Sequence, residues 1–355
     1  MKRYGHIFEK ICSMENLQLA HKHARKDKTY YREVKMVDED PDKYLGAIQD
    51  MLLKKEYVVS EYQVSIINDT GKERELMKLP YYPDRIIQWA IMLQVEPIFR
   101  KTFCGHTCAS LKHRGGKRAM QYVDKFFKDR RGSMYCLKID VRKFYPSINH
   151  EILKTMLRKK FKDPHLLELL DQIIDSYPGE RGVPIGSYLS QFLANFYLAY
   201  FDHWLKETMR VDKVVRYMDD CVICHESKEY LHNLRKEIDH YLREELDLDL
   251  KSNWQVFPTN VRGIDFVGYR HFFDYRLLRK STCKRFKKKM LRIRKKVDAG
   301  QMINYSEWCS ANSYKGWLRW CDSFRLRKKY LDPIQKALAI YYLRVIQRKQ
   351  KGAII

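Results

Sequence analysis

Two aspartates in the middle of an apolar stretch constrain the fold of this chain more than any other feature. Residues 214–225 (VVRYMDDCVICH) place Asp219 and Asp220 between two β-rich arms. Apolar arms around a short polar step are typical of a β-hairpin, with the acids at its tip. A second strand-like run, 133–141 (SMYCLKIDV), ends at Asp140. Aspartate pairs are also ordinary turn residues, so this pair alone does not establish a site.

The three carboxylates would be costly in apolar surroundings. If the two strands are neighbours in one sheet, Asp140, Asp219 and Asp220 converge and raise one another's pKa unless a divalent cation neutralises them. Oxygen ligands favour Mg²⁺ or Mn²⁺, which keep positions open for phosphate and water. Two such ions about 3.5–4 Å apart can clamp the attacking 3′-hydroxyl and the leaving pyrophosphate of nucleotidyl transfer. The pattern therefore predicts a two-metal site for Mg²⁺, with Mn²⁺ as an alternative.

The order of the elements indicates a fold. Periodicity predicts helices over 150–162, 164–177, 187–210 and 229–246, and a strand pair over 262–271. Strand, helix, hairpin, helix, strand is the order of a ferredoxin-like unit, in which helices cover one face of an antiparallel sheet. Upstream, the sequence predicts helices over 41–55 and 81–100 and a hairpin over 57–79 around Asn68–Gly71.

The charge of the chain indicates a polyanionic partner. Among 355 residues, 69 Lys and Arg against 44 Asp and Glu give a net charge of +25, whereas a magnitude of roughly 2–8 suffices for solubility. The partner is then nucleic acid or an acidic membrane surface. Residues 276–297 contain twelve of the cations and no acid. Apolar residues at helical spacing among them predict a basic amphipathic helix, which also suits acidic lipid.

Composition excludes several classes of protein. An apolar fraction of 45% excludes intrinsic disorder. No apolar run is long enough for a secretory signal or a membrane span, so we expect neither. Together with the motifs described below, the position of the basic segment favours nucleic acid, and we expect no membrane partner. Nine scattered cysteines indicate a reduced, intracellular protein. Two groupings, Cys104–His106–Cys108 and Cys221–Cys224–His225, allow either a zinc site or buried thiols, and their spacings favour buried thiols.

Four motifs in order resemble those of reverse transcriptases. Tyr217-Met218-Asp219-Asp220 resembles their Y-x-D-D box, and Asp140-x3-Phe144-Tyr145 their first palm motif. Residues 182–191 (GVPIGSYLSQ) resemble the fourth motif, and Phe266-Val267-Gly268-Tyr269 the strand that grips the primer terminus. The resemblance covers roughly residues 60–330 and implies an RNA-directed DNA polymerase, a nucleotidyltransferase.

A narrower resemblance concerns the fourth motif. Many relatives have Gln-Gly followed by Ser-Pro there, but this chain has Ile185-Gly186-x3-Ser190-Gln191. That form is similar to stand-alone, group II intron-like reverse transcriptases of diversity-generating retroelements, from bacteria and phages. Those proteins copy a template-repeat RNA into cDNA with frequent errors opposite adenine, for mutagenic retrohoming, and work with a small basic accessory protein oligomer encoded nearby. The resemblance implies a cytoplasmic protein.

The resemblance also implies roles for individual residues. Asp140, Asp219 and Asp220 match the catalytic metal-binding acids, and the carbonyl of Val141 would complete the metal shell. Tyr145, beside Phe144, matches the aromatic residue that excludes a ribose 2′-hydroxyl, with core packing as its alternative.

Four further residues are expected to bind the incoming nucleotide. Arg74, helped by Lys72, matches the fingers cation on the triphosphate, with simple solvation as the alternative for both. Gln191 matches the residue over the nucleotide. Ile185 stands where the family has Gln, and we hypothesise that the lost hydrogen bond relaxes base selection. Lys251 is one candidate for protonating pyrophosphate, but the sequence does not identify the general acid.

The basic segment follows the primer-grip-like strand, which is the position of a polymerase thumb. The cations expected to lie along a template–product duplex are Lys280, Lys284, Arg285, Lys287, Lys288, Lys289 and Arg292. Such phosphate contacts are independent of sequence and sensitive to salt. Trp308, Trp317 and Trp320 are either thumb core or a base-stacking platform, and core is favoured because large aromatic residues are mostly buried.

The predicted architecture is an α+β right-hand polymerase with fingers, a ferredoxin-like palm and a helical thumb. The expected divisions are an N-terminal helical extension (1–55), fingers (56–132), first palm segment (133–150), fingers and palm helices (151–181), palm with catalytic hairpin and primer grip (182–272), basic thumb (273–331) and basic tail (332–355). Expected partners are template RNA, the RNA/DNA product duplex and dNTPs. Two alternatives stay open: another stand-alone bacterial reverse transcriptase, of retron or phage-defence type, or a non-catalytic RNA-binding protein on a polymerase scaffold.

Overall fold

In the computed structural model, residues 3–69 and 72–350 are described, and the chain divides into two units. The first unit runs to Ala119 and adds Leu137–Ile223 and Glu229–Gln255. The second consists of Met120–Cys136, Cys224–Lys228 and the chain from Val256 onward. Both contain helices and strands, as expected for the α+β class.

Four helices open the first unit, and local capping explains where two of them begin. They are α1 (Phe8–Cys12), α2 (Met14–Ala24), α3 (Arg32–Glu39) and α4 (Pro41–Leu53). The Ser13 hydroxyl accepts a hydrogen bond from a backbone N–H of α2, and Asp40 does the same for α4, whose first residue is Pro41. The helix predicted over 41–55 is confirmed and ends two residues earlier.

The predicted hairpin and the helix after it are both present. Strands β1 (Gln63–Asp69) and β2 (Lys72–Lys78) pair antiparallel, with Gln63 opposite Lys78. The turn residues 70 and 71 lie outside the described part of the chain. A π-helical turn then leads into α5 (Ile86–Thr102), whose Ile86, Ile87, Ala90 and Ile91 are buried as the apolar pattern predicts.

The central segment contains the strands that carry the predicted acids. Its elements are α6 (Gly115–Lys128), β3 (Tyr135–Ile139), α7 (Phe144–Ser147), α8 (His150–Lys160), α9 (Pro164–Asp175), α10 (Tyr188–Tyr197), α11 (Ala199–His203), β4 (Lys213–Tyr217), β5 (Asp220–His225), α12 (Lys228–Leu246) and β6 (Gln255–Pro258). Four of these strands form one sheet in the order β4-β5-β3-β6. The strand that ends before Asp140 and the hairpin that carries Asp219 are therefore direct neighbours, which is the condition on which the predicted site depends.

One helix prediction was wrong. The single helix expected over 187–210 is interrupted at Leu198, whose φ of −94° and ψ of 3° leave the helical region, and the segment ends in a π-helical turn, Trp204–Thr208. The apolar pattern continues across Leu198 because both α10 and α11 are buried, so periodicity alone does not locate the break.

The second unit pairs a small sheet with helices. It contains α13 (Thr259–Arg262), β7 (Ile264–Phe266), β8 (Tyr269–His271), β9 (Arg276–Leu278), α14 (Lys280–Asp298), α15 (Tyr305–Leu318), α16 (Phe324–Leu326) and α17 (Gln335–Gln350). The strand pair predicted over 262–271 is present as β7 and β8, but it does not complete the four-stranded sheet as the ferredoxin-like order implies, because β6 takes that place. β7 and β8 instead form a separate sheet with β9, a third antiparallel strand within the run expected to be helical. The basic helix therefore begins only at Lys280.

The core of the second unit forms along one face of α14. Phe286, Met290 and Ile293 recur at helical spacing, and all three are fully buried. Two other apolar residues of the basic run, Leu277 and Leu291, are exposed. No helix in the described ranges is both long and apolar enough to span a bilayer.

Candidate active site

The β4–β5 hairpin carries the predicted catalytic acid in a tight turn. Met218 and Asp219 are its two central residues, and Met218 has a φ of 56°. A positive φ at the first central position is a feature of the primed turns that match strand twist, although a residue with a side chain adopts it rarely. The turn thus places Asp219 at the end of the hairpin, one residue before β5.

Asp219 faces Asp140 across the neighbouring strand. The two carboxyl groups lie close enough to interact, and burial together with the Asp140 carboxyl raises the pKa of Asp219 to about 7. Lys251 acts in the opposite direction, because its positive charge favours the ionised form. Two carboxyl groups held this close have the donor chemistry of a divalent-cation site, and a bound cation would remove their repulsion.

Lys251 is fixed beside Asp140 through main chain and side chain. Its N–H donates to the Asp140 carbonyl at 2.9 Å, and its ammonium forms a salt bridge with the Asp140 carboxylate. The backbone contact between the two segments extends to the residues that follow Asp140. Val141 forms an antiparallel β-bridge with Leu250, and the Arg142 N–H donates to the Asp249 carbonyl at 2.8 Å. The segment before β6 therefore brings a cation to the acidic pair, a placement that the sequence suggested only weakly.

Asp220 does not join this pair in the structure. Its Oδ2 lies 3.3 Å from the ammonium of Lys138 on the adjacent strand β3. In the described part of the chain, no group of three or more His, Cys, Asp or Glu side chains is arranged to hold a metal ion. Two of the three predicted carboxylates therefore come together, and the role of Asp220 stays a prediction.

Tyr145 lies next to the catalytic turn. The short helix α7 begins after Lys143, whose left-handed φ of 45° turns the chain after β3. The Tyr145 hydroxyl lies 4.0 Å from Met218 Sδ, and burial, with a smaller effect of Asp219, raises its pKa. The Phe144 ring packs edge-on against Tyr145 at 5.8 Å and is itself buried.

The fourth motif is attached to the same region. The Val183 N–H donates to the Tyr145 carbonyl at 3.1 Å, which joins the motif to α7. Ile185 and Gln191 are both half-buried, Ile185 in the loop before α10 and Gln191 on that helix. Lys72 and Arg74 lie in β2, but their side chains lie outside the described part of the structure.

The primer-grip-like residues belong to the second unit. Val267 and Gly268 form the turn between β7 and β8 with φ values of 42° and 89°, the two positive values of a type I′ turn. A Cβ on Gly268 would lie 2.3 Å from the Trp317 ring, so glycine is needed here for close packing as well as for its φ. Phe266 and Tyr269 are buried, and the Tyr269 hydroxyl donates to the Trp317 carbonyl at 2.9 Å.

The predicted duplex-binding cations lie on α14. Lys280, Lys284, Arg285, Lys288 and Arg292 are exposed, whereas Lys287 and Lys289 are half-buried. The ammonium of Lys287 lies 5.7 Å from the centre of the Tyr330 ring. The preference for a tryptophan core is only partly right, since Trp308 packs on the core but Trp317 and Trp320 are 37% and 42% exposed.

The structure favours buried thiols over a zinc site for both cysteine groupings. Cys108, Cys221 and Cys224 are buried, and burial raises the pKa of Cys108 to about 12. Cys104 is half-buried, with a pKa raised in the same way.

Sequence reasoning missed a buried ion pair behind the catalytic turn. Arg216 on β4 and Asp202 on α11 are 1% and 0% exposed, and their side chains bond at 2.5 Å and 2.7 Å. A signal was present, because a lone arginine in an apolar strand and a lone aspartate in an apolar helix both require a buried partner.

Comparison with known proteins identifies the family. Residues 54–271 match the model of "Reverse transcriptase (RNA-dependent DNA polymerase)". Protein YkfC of Escherichia coli K12 is 26% identical over 178 residues, which cover 45% of this chain and 46% of YkfC. Group II intron-encoded protein LtrA of Lactococcus lactis is 24% identical over 184 residues, covering 49% of this chain and 29% of LtrA. The chain spans about half or less of the length of the curated relatives it matches.

Similar solved structures include telomerase from Candida albicans, with a TM-score of 0.47 and 11% identity over 68% of this chain and 52% of that chain. Telomerase from Candida tropicalis gives a TM-score of 0.44 and 14% identity over 61% of this chain and 48% of that chain. The family model covers more than half of the chain, including β3, the catalytic hairpin and β7–β8, and it supports the predicted right-hand fold class. The chain belongs to the reverse transcriptase family of RNA-dependent DNA polymerases.

Proposed function

We propose that this protein is an RNA-directed DNA polymerase that extends a primer by metal-assisted nucleotidyl transfer. The observation that carries the proposal is the contact between the Asp140 and Asp219 carboxyl groups, at the end of β3 and in the β4–β5 turn of a reverse transcriptase domain. A protein that only bound RNA would have no use for two facing carboxylates near a polyanion, because each would repel phosphate.

The residues at this site divide the chemistry among them. Asp140 and Asp219, with the carbonyl of Val141, would hold Mg²⁺, and Asp220 would join them after leaving Lys138. Two bound ions would activate the primer 3′-hydroxyl and neutralise the charge that develops on pyrophosphate. Tyr145 would lie under the sugar and exclude a 2′-hydroxyl, while Ile185 and Gln191 would contact the incoming nucleotide. Lys72 and Arg74 would bind its triphosphate.

The template RNA and the product duplex would be held by phosphate contacts. The exposed cations of α14 would follow the duplex backbone, and the turn Val267–Gly268 between Phe266 and Tyr269 would grip the primer end. Since such contacts are electrostatic, binding should weaken steeply with salt.

Primer extension on an RNA template tests the proposal. We expect wild-type protein to incorporate dNTPs with Mg²⁺ and to lose at least about 1,000-fold of this activity on Asp219→Asn, as expected when a reaction loses a metal ligand. Asp171→Asn is the control, because it removes a carboxylate of the same unit from a surface pair with Arg158. Absence of any Asp219-dependent extension would leave an RNA-binding protein on a polymerase scaffold.

We further propose that the enzyme is the error-prone polymerase of a diversity-generating retroelement. Support comes from Ile185-Gly186-x3-Ser190-Gln191, in which an apolar side chain replaces a hydrogen-bonding one beside the nucleotide. The cDNA should then carry errors concentrated opposite template adenines, and a small basic accessory oligomer should be a partner.

Sequencing the cDNA tests this role. Ile185→Gln should lower the adenine error rate, whereas Ile185→Val, which stays apolar, should keep it. Errors spread evenly over the four template bases would instead favour a retron or phage-defence reverse transcriptase.

A further inference from the structure

The Arg216–Asp202 pair is unusual in its burial and in what it touches. Asp202 accepts two bonds from the guanidinium, and its Oδ2 also accepts from the Thr107 hydroxyl at 2.6 Å. His106 Nε2 lies 3.4 Å from Asp202 Oδ1. A buried ion pair contributes little net stability over apolar residues of the same shape, so stability alone does not explain it.

The third guanidinium nitrogen, Nη1, bonds the catalytic turn. Arg216 Nη1 donates to the Met218 carbonyl at 2.7 Å, and a longer bond of 3.4 Å goes to the buried Asn195 side chain. The Met218 carbonyl belongs to the peptide group whose nitrogen is that of Asp219. Fixing this carbonyl therefore fixes the peptide plane from which the Asp219 side chain projects.

The backbone of Arg216 is also held in place. Cys108 N–H donates to the Arg216 carbonyl at 2.9 Å, and Arg216 N–H donates to the His106 carbonyl at 3.1 Å. Backbone hydrogen bonds to the segment 106–108 therefore hold the main chain of Arg216, and Asp202 holds its side chain. A guanidinium in this position can bond a carboxylate and a carbonyl at once because its donors are coplanar, which an ammonium cannot match.

We infer that Arg216 is a positioning residue, which uses Asp202 as its anchor to hold the Met218–Asp219 peptide so that the Asp219 carboxyl meets that of Asp140. The inference rests on the proposed function, because it assigns Arg216 to the same site. The same bond holds the turn in which Met218 has its positive φ, a backbone conformation that a residue with a side chain rarely adopts.

Two variants separate positioning from stability. Arg216→Lys keeps a positive charge beside Asp202 but cannot hold both partners. The double variant Asp202→Asn/Arg216→Met removes both charges, so that no unpaired charge stays buried, and should fold when Arg216→Met alone does not. Asp84→Asn is the matched control, since Asp84 is equally buried and accepts from Tyr57 and Ser60 away from the turn.

Metal affinity and turnover should change together in both variants. We expect Mn²⁺ binding, measured by electron paramagnetic resonance without nucleic acid, to weaken about 10–100-fold, the usual effect of losing a residue that orients a metal ligand. The kcat for primer extension should fall by a similar factor with little change in KM for dNTP, while Asp84→Asn keeps both values.

The outcomes distinguish this inference from the proposed function. If the double variant restores thermal stability and also restores Mn²⁺ affinity and kcat, the pair is only structural and the inference is overturned. Wild-type values in Arg216→Lys overturn it as well. If wild-type protein itself shows neither Asp219-dependent Mn²⁺ binding nor extension, the proposed function fails instead.

Discussion

Without a cation, the pairing of Asp140 with Asp219 should destabilise the fold at neutral pH. Burial and the neighbouring carboxyl raise the pKa of Asp219 from the usual 3.8 to about 7. The native state then binds a proton more tightly than the unfolded chain, so stability falls as pH rises from about 4 to about 7. At about 1.36 kcal/mol for each pKa unit, the full cost above pH 7 is about 4 kcal/mol.

Replacing Asp219 by Asn should remove this cost. An amide stays neutral and can still donate a hydrogen bond to Asp140, as the protonated acid does. Between pH 5 and pH 8, linkage with these pKa values predicts that the advantage of Asp219→Asn over wild type grows by about 2–3 kcal/mol. Asp220→Asn is the control, because Asp220 has an attractive partner in Lys138 and its neutralisation should give no gain.

Native-state hydrogen exchange of the β4 and β5 amides measures this locally, in EDTA at both pH values. Mg²⁺ should narrow this advantage at pH 8, since it binds only the wild-type pair and stabilises it by about 2.7 kcal/mol at a hundred times its Kd. The reasoning is refuted if Asp219→Asn is no more stable than wild type at pH 8, or if its advantage is the same at pH 5.

Four other changes test neighbouring parts of the molecule. Lys251→Met should lower kcat for extension by about 100-fold, as expected on the loss of a general acid; an unchanged kcat assigns its ammonium to charge balance alone. Tyr145→Ala should raise ribonucleotide incorporation about 10-fold over wild type while Tyr145→Phe does not, measured by extension with rNTPs. Replacing Lys284 and Lys288 by Ala should lower the slope of log affinity for duplex against log salt by about 2, and an unchanged slope would place the duplex elsewhere. Gly268→Ala should lower the unfolding free energy of the second unit by about 1–3 kcal/mol, because its Cβ would overlap an indole ring at 2.3 Å.

Local patterns predicted the elements that carry the proposed catalytic residues. Apolar arms around Asp219 specify the β4–β5 hairpin, and the run that ends at Asp140 specifies β3, because strand propensity and turn chemistry agree in both places. The neighbouring positions of β5 and β3 in the sheet were a condition of the predicted site rather than a prediction from any strand pattern, and the sheet order meets that condition.

Other elements were misread where two local rules conflict. Arg276–Leu278 forms a three-residue strand, but it lies at the start of a basic run whose helical periodicity extends back over it. The pairing of Tyr269 with Leu278 decides the conformation there, and tertiary pairing of this kind overrides propensity. At Leu198, burial on all sides keeps the sequence apolar through the break between α10 and α11, so no polar residue marks it.

The contacts around the site depend on residues far apart in sequence, and this limits prediction from one chain. Lys251 lies 111 residues from Asp140, and no spacing rule connects them. Arg216 differs, because the sequence itself shows a charge that would be costly to bury alone. An arginine between Val215 and Tyr217 in a buried strand needs an acidic partner, and Asp202 is the acid of the apolar stretch that precedes it. Matching lone buried charges of opposite sign would therefore have found the pair. That the pair ends on the Met218 carbonyl could be learned only from the structure, since a backbone oxygen leaves no trace in the sequence.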